Sequence, residues 1–540
     1  MQNISVTREA LNNKEFWEER RIALPKFDLK RTEAETAANP TWLHFGAGNI
    51  FRGFIARLQQ DLLNQGLVKT GIVAADTYDY EIIDRVYRPY DNLTLMADLR
   101  ADGKVGYEII GSVTEARKAD PSDPDEMNRL KKIVSSPSLQ LISFTITEKG
   151  YALRDLRGEL LGVVKEDMSQ GPSFARHAMS IVCALLWERF QANGAPLALA
   201  SMDNCSHNGE KLQSSILEVA RAWKENGFVT EDFLAYLQDP SKISFPWSMI
   251  DKITPRPDAS VEAMIASMGI SEMSPFTTEK GTFIAPFVNA EIPQYLVMED
   301  TFPNGRPPLE KAGVYMTDRE TVDRSERMKV STCLNPLHTA LAVYGCLLGY
   351  TRISEEMKDP QLVKLITKIG YQEGLPVVTD PGILNPREFI AEVIEQRLPN
   401  PFIPDAPQRI ATDTSQKIPI RFGETIKAYV ADDTLDVSEL TYIPLAIAGW
   451  LRYLLGIDDQ GLPMNLSSDP LLPRLQEQLE PVKIGDPESV KGNLEELLSN
   501  TSLFGSDLTA CGLSSKIEGM LAELITGPGA VRATLTKYLG

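Results

Sequence analysis

The chain has 540 residues, of which 43% are apolar and 24% charged, and its formal charge is -19. That size and apolar content supply a large core in two or more domains and exclude a single small module. The acidic balance argues against nucleic acid and anionic membrane as partners, because a phosphate-binding face needs a basic excess that can only be local here, as in a cationic pocket for an acidic metabolite.

Met1 to Lys30 mixes charges and holds no apolar leader, and no later run approaches about 18 apolar residues, so a cytoplasmic protein is expected. Next, Thr41-Trp-Leu-His-Phe-Gly46-Ala47-Gly48-Asn49-Ile50-Phe51-Arg52-Gly53-Phe reads as a strand, a glycine turn and a helix. Gly46 permits a tight turn, and Gly48 lets backbone N–H groups approach a dinucleotide pyrophosphate at the positive end of the helix. Ala47, Asn49, Ile50, Phe51 and Arg52 share that stretch and are assigned to the same cofactor site. The pattern departs from G-x-G-x-x-G, since Phe51 holds the third position, and a plain strand-turn-helix is the competing reading. A helix is expected from Gly53 to Gln65. Gly71 to Asp76 then reads as a second buried strand ending in an acid, roughly 25 residues past the glycines against about 20 in the usual fingerprint. A carboxylate there accepts from adenosine ribose hydroxyls and repels a 2′-phosphate, so NAD is expected over NADP. The alternative is a cap on the following turn.

A helix from Asp123 to Ile133 and a strand from Leu139 to Ile146 continue the alternation. Residues 1–300 are thus expected to form an α/β Rossmann-like domain. The turn-rich run Glu299-Asp-Thr-Phe-Pro-Asn-Gly-Arg-Pro-Pro-Leu309 marks the expected boundary. Residues 301–540 are expected to be mostly α-helical, with segments at 335–350, 386–397, 438–456, 487–499 and 514–526. The five cysteines, at 183, 205, 333, 346 and 511, form neither C-x-x-C pairs nor an even disulfide framework, as suits a reducing compartment. Together with the histidines at 44, 177, 207 and 338 they lack metal spacing, and the nearest cluster, Cys205-Ser-His207, offers two ligands only, so no catalytic metal is expected.

Chemistry concentrates in Glu326-Arg-Met-Lys329-Val-Ser-Thr-Cys-Leu-Asn335-Pro-Leu-His338. Hydride transfer to a ketone develops an alkoxide that must be stabilised by hydrogen-bond donors and then protonated. A desolvated lysine, an amide and an imidazole provide that set. The bland alternative makes them a surface lysine, a helix cap and a core histidine.

Several ordered blocks resemble the polyol-specific long-chain dehydrogenase (mannitol dehydrogenase) family. They are Gly46 to Phe54, Thr145-Ile-Thr147-Glu148-Lys-Gly150-Tyr, Met202-Asp203-Asn204 with Asn208-Gly209, Met249-Ile-Asp251-Lys252-Ile-Thr-Pro255 and Lys329 to His338. Further blocks are Tyr295 to Pro307, Arg397 to Asp405 and Arg409-Ile-Ala-Thr-Asp413-Thr-Ser-Gln-Lys417-Ile-Pro. The resemblance implies a zinc-independent, NAD(P)-dependent reductase of ketoses or ketouronates. It also implies that Lys329 is the general acid/base, that Asn204 and Asn335 polarise the carbonyl, that His338 binds substrate and that Glu326 relays or gates the lysine's proton. Thr147 and Glu148 are assigned to the cofactor, and Asp251 to the substrate. The family spaces lysine and asparagine by four residues and this chain by five, so a bulge or altered turn is expected between them.

For the substrate, Lys252, Arg256, Arg409 and Lys417 lie in or beside the matched blocks and can hold a sugar-acid carboxylate, the alternative for each being a surface or interdomain ion pair. Reduction of fructuronate to mannonate is therefore the leading expectation. Fructose and tagaturonate are the alternative substrates, and an NAD-binding sensor is the non-enzyme alternative. A monomer or small homo-oligomer is expected.

Overall fold

The structure, a computed structural model, describes residues 3–540; Met1 and Gln2, which open the charged amino-terminal stretch, lie outside it. Six strands form its largest sheet: β1 (Trp42–Phe45), β2 (Ile72–Asp76), β3 (Val113–Lys118), β4 (Leu141–Phe144), β5 (Leu197–Ser201) and β6 (Ile243–Ser244). All pair in parallel, in the order β3-β2-β1-β4-β5-β6. The order reverses between β1 and β4, which places the turn after β1 at the crevice where such sheets bind dinucleotides. Alternate residues feed opposite cores: Leu43, Phe45, Val73, Ile142 and Leu199 on one face, Trp42, Ile72, Ala74, Leu141 and Ala198 on the other. Burial on both faces explains why these strands read as continuous apolar runs rather than alternating ones.

One polar side chain interrupts β1. His44 is fully buried, lies 2.6 Å from Ser143 Oγ and 2.8 Å from Thr145 Oγ1, and stacks on Phe51 at 4.1 Å. Burial draws its pKa down to about 3, so the ring is neutral and serves as a satisfied core group.

The expected domain boundary is corrected. Tyr295–Glu299 and Tyr315–Thr317 pair in parallel across the turn-rich run, with Glu299 opposite Thr317, so that run is a crossover inside the first unit. The chain divides instead into residues up to Arg100 with Lys104–Asp323, and Ala101–Gly103 with Arg324–Gly540. In the first unit a four-stranded sheet (Ile22–Ala23, Val105–Ile110, Thr94–Leu99, Phe287–Glu291) accompanies the parallel one.

The second unit is helical. Its framework includes α1 (Asn335–Leu347), α2 (Pro386–Glu392), α3 (Tyr442–Leu454) and α4 (Ser514–Leu524). Helix α1 is apolar nearly all round and correspondingly buried. It packs on α3, where Tyr344 Oη donates to the Leu445 carbonyl at 2.8 Å, and α3 packs in turn on α4. The expected helix at 487–499 is two short turns, Pro487–Val490 and Glu495–Leu498, because Gly492 between them takes φ +74° and breaks the helical path. Wider π turns occupy Phe51–Ile55 in the first unit and Lys329–Cys333, Val393–Arg397 and Pro419–Gly423 in the second. Among the described residues no helix is long and apolar enough to cross a membrane.

Candidate active site

The turn after β1 has the form a pyrophosphate cradle requires. Gly46 takes φ +102°, and a Cβ there would stand 2.2 Å from the Thr145 carbonyl oxygen, so only glycine fits. Around Gly48 a Cβ would meet nothing within 4 Å, which leaves open space beside the backbone. The chain enters helix at Asn49, so the first-turn N–H groups of Asn49, Ile50 and Phe51 have no intrahelical acceptor and can serve an anion. These features fit a dinucleotide. Arg52 does not reach out to such a ligand: it is fully buried, donating to the Pro286 carbonyl at 3.2 Å and to Asn49 Oδ1 at 2.8 Å. It braces the turn from behind.

Asp76 is bonded to the same turn. Its carboxylate is buried and accepts from the backbone N–H of Ala47 (3.0 Å), Tyr78 (2.8 Å) and Asp79 (2.9 Å). Burial raises its pKa, and these three bonds oppose the rise. The strand ends here, and the next turn needs an acceptor for its amides, so Asp76 ties the glycine turn to the end of β2, as the capping alternative has it.

Beyond β4 and β5, Asp203 joins two loops by accepting from Tyr151 Oη (2.6 Å), Ile146 N (2.9 Å) and Thr147 N (3.0 Å). Thr147 is held at φ +64°, costly for a β-branched residue and found where surrounding structure dictates backbone shape. The exposed Asn204 follows directly on Asp203, so this clamp sets its position. Glu148 is exposed and pairs with Lys211 at the surface. Asp251 is buried at the end of strand Ser248–Asp251, opposite Tyr295. Lys252 turns inward, its Nζ donating to the Glu291 carbonyl and to Gln294 Oε1 at 3.2 Å, while Arg256 is exposed.

In the second unit, helix Arg319–Met328 carries Glu326, one turn before Lys329. Lys329 is 3% exposed and opens the π turn, in which Leu334 N bonds back five residues to the Lys329 carbonyl at 3.1 Å. A π turn holds one residue more than an α turn, so the fifth residue between Lys329 and Asn335 is absorbed as a bulge. Helix α1 then starts at Asn335, and Asn335, His338 and Thr339 share one face.

His338 Nε2 is buried without a hydrogen-bond partner among the described residues, 3.8 Å from Asp405 Oδ2. Burial lowers its pKa to about 4; Asp405 opposes this, and Arg421, Arg409 and Arg397 reinforce it. The imidazole is therefore neutral at pH 7 and can bond a substrate hydroxyl without adding charge. The expected cation Arg409 stands in this surround, together with Arg397 and Arg421, which the sequence did not single out, and the expected Lys417 neighbours Arg409 and Arg421. Arg397 stood in a matched block, and Arg421 follows four residues after Lys417, within one helical turn of it, which was the available signal. Among the described residues no group of three His, Cys, Asp or Glu side chains is placed to hold a metal ion.

The profile of the mannitol dehydrogenase Rossmann domain matches residues 40–311, and that of the mannitol dehydrogenase C-terminal domain matches residues 321–525. The chain belongs to the mannitol dehydrogenase family. Within it, the chain is 54% identical to D-mannonate oxidoreductase of Thermotoga maritima, over 99% of both sequences. Among solved structures it resembles Pseudomonas fluorescens mannitol 2-dehydrogenase in ternary complex with NAD and D-mannitol, at 25% identity and TM-score 0.68, covering 99% of each chain. It also resembles a D-sorbitol dehydrogenase in substrate-free form, at 25% identity and TM-score 0.77, covering 95% of this chain and 97% of that one. Mannitol dehydrogenase family membership thus rests on both units, the one with the glycine turn and the one with Lys329.

Proposed function

We propose that the protein is an NAD-dependent oxidoreductase that interconverts D-fructuronate and D-mannonate. The full-length similarity to a D-mannonate oxidoreductase supports the substrate pair. The observation that carries the sugar-acid class is the cationic surround of His338 in a chain whose formal charge is -19: Arg397, Arg409 and Arg421 gather there against Asp405, with Lys417 beside Arg409 and Arg421.

NAD(H), when bound at the glycine turn, supplies or accepts the hydride. The chain's own residues do the rest. In the reducing direction Asn335 donates a hydrogen bond to the ketone oxygen as negative charge develops on it. Lys329 gives that oxygen a proton from Nζ, so that ketone, hydride and proton yield the secondary alcohol; in oxidation it takes the proton back. Burial of Lys329 keeps bulk water from competing for that proton. Neutral His338 orients a neighbouring hydroxyl, and Glu326, one turn before Lys329, restores the lysine's proton from solvent.

The test is an NADH oxidation assay with fructuronate, tagaturonate, fructose and fructose 6-phosphate at equal concentration. The highest kcat/KM is expected for fructuronate. A value for fructose at or above that for both uronates refutes the sugar-acid reading, and a preference for tagaturonate corrects the stereochemistry alone.

A further inference from the structure

We infer that Arg421 is the residue that takes the carboxylate of a sugar-acid substrate and so selects sugar acids over uncharged polyols. The inference rests on the reaction proposed above and deepens it.

Arg421 sits in the π turn Pro419–Gly423 and donates from a guanidinium nitrogen to Thr339 Oγ1. Thr339 is almost fully buried and gives its own proton to the Asn335 carbonyl at 2.9 Å, so its oxygen can only accept from Arg421. The guanidinium is thereby fixed to the face of α1 that carries Asn335 and His338. Its effect on the His338 pKa places its charge beside that ring.

The other cations of the cluster have occupations. Lys417 Nζ donates to the backbone carbonyls of Ile410 and Thr412, and Arg409 pairs with Asp405. Arg397 is 4% exposed and enclosed by protein. Arg421, by contrast, makes one hydrogen bond, to a neutral hydroxyl, and has no ion pair among the described residues. Burial alone draws its pKa down to about 10, with no anion opposing the shift. A partly buried cation without a counter-ion is unfavourable, and a carboxylate arriving with the substrate relieves it. The guanidinium still has donors to spare, enough to take both oxygens of a carboxylate in a bidentate pair. An uncharged polyol offers only neutral hydroxyls to the same group. The assignment of the carboxylate to Lys252 or Arg256 has less support, since the first is bonded inward and the second is exposed.

The test compares wild type, Arg421→Gln and Arg421→Lys in fructuronate reduction, with D-mannonate and D-mannitol as inhibitors; NADH affinity and thermal unfolding report folding. Arg421→Gln is expected to raise the KM for fructuronate and the inhibition constant of D-mannonate on the order of 10²-fold, and that of D-mannitol far less. Arg421→Lys keeps the charge, loses the paired geometry and is expected to recover part of the difference. An unchanged constant for D-mannonate, or equal changes for both inhibitors, overturns the inference. If Arg421→Gln does not fold, Arg421→Lys decides by the same split, expected at about tenfold. A wild type that does not reduce fructuronate brings down the proposed reaction and this inference together; variants that keep full D-mannonate binding in an active uronate reductase bring down only the role of Arg421.

Discussion

Glu356 gives the sharpest test of the packing beneath α1. Its carboxyl is fully buried against Gly345 of α1, where a Cβ would stand 1.9 Å from Oε1, and neither oxygen has a hydrogen-bond partner among the described residues. Burial, reinforced by Asp359, pushes its pKa up from 4.5 to about 9. The sign follows from linkage. Below the unfolded value the group is neutral in both states and adds no pH-dependent cost. Above it the unfolded chain ionises while the folded one stays neutral, so stability falls as pH rises, until the folded pKa is passed. Each pH unit in that window costs about 1.4 kcal/mol, which makes at most about 5 kcal/mol at pH 8. Local relaxation and water entry reduce this to roughly 2–4 kcal/mol. Glu356→Gln preserves shape and removes the titration, and an unbonded amide costs much what an unbonded neutral carboxyl does. The variant should therefore be more stable than wild type by that amount at pH 8 and within about 1 kcal/mol of it at pH 5. Urea unfolding of both proteins at pH 5, 6.5 and 8, followed by tryptophan fluorescence, measures the difference. A gap that does not change with pH, or that widens toward pH 5, refutes the reasoning.

Three further outcomes concern the site. Gly46→Ala drives a methyl into the Thr145 carbonyl at a backbone angle side chains avoid, so NADH binding should be lost and the melting temperature lowered; a normal NADH titration would move the cofactor site elsewhere. Lys329→Ala should lower kcat by about 10² or more with NADH affinity nearly unchanged, and wild-type turnover would sink the general acid/base assignment. Asp76→Asn turns an amide donor toward backbone N–H groups, so it should cost about 1–3 kcal/mol of stability and weaken NADH and NADPH alike. A change confined to the preference between the two cofactors would restore the ribose-facing role.

What the sequence by itself determined is what depends on neighbours along the chain. Gly46 after a short buried strand, the doubly buried strands around it and the periodic helices of the second half are local consequences of backbone sterics and apolar spacing, and they were legible. The joined blocks likewise disclosed the family, and the one-residue excess after Lys329 announced a bulge that proved to be a π turn. Tertiary structure decided which partners the polar groups have. Asp76 reads the same in sequence with or without the amide of Ala47, 29 residues away, and only the folded turn brings the two together. The run at 299–309 has the composition of a linker, yet the strands on either side of it pair, so it lies inside a unit. Arg421 meets Thr339 across 82 residues, and no local pattern separates it from a surface arginine. Its free guanidinium becomes visible only when Lys417 and Arg409 are seen bound to other groups. Hydrogen bonding and charge pairing depend on distances that the chain sets only once it has closed on itself.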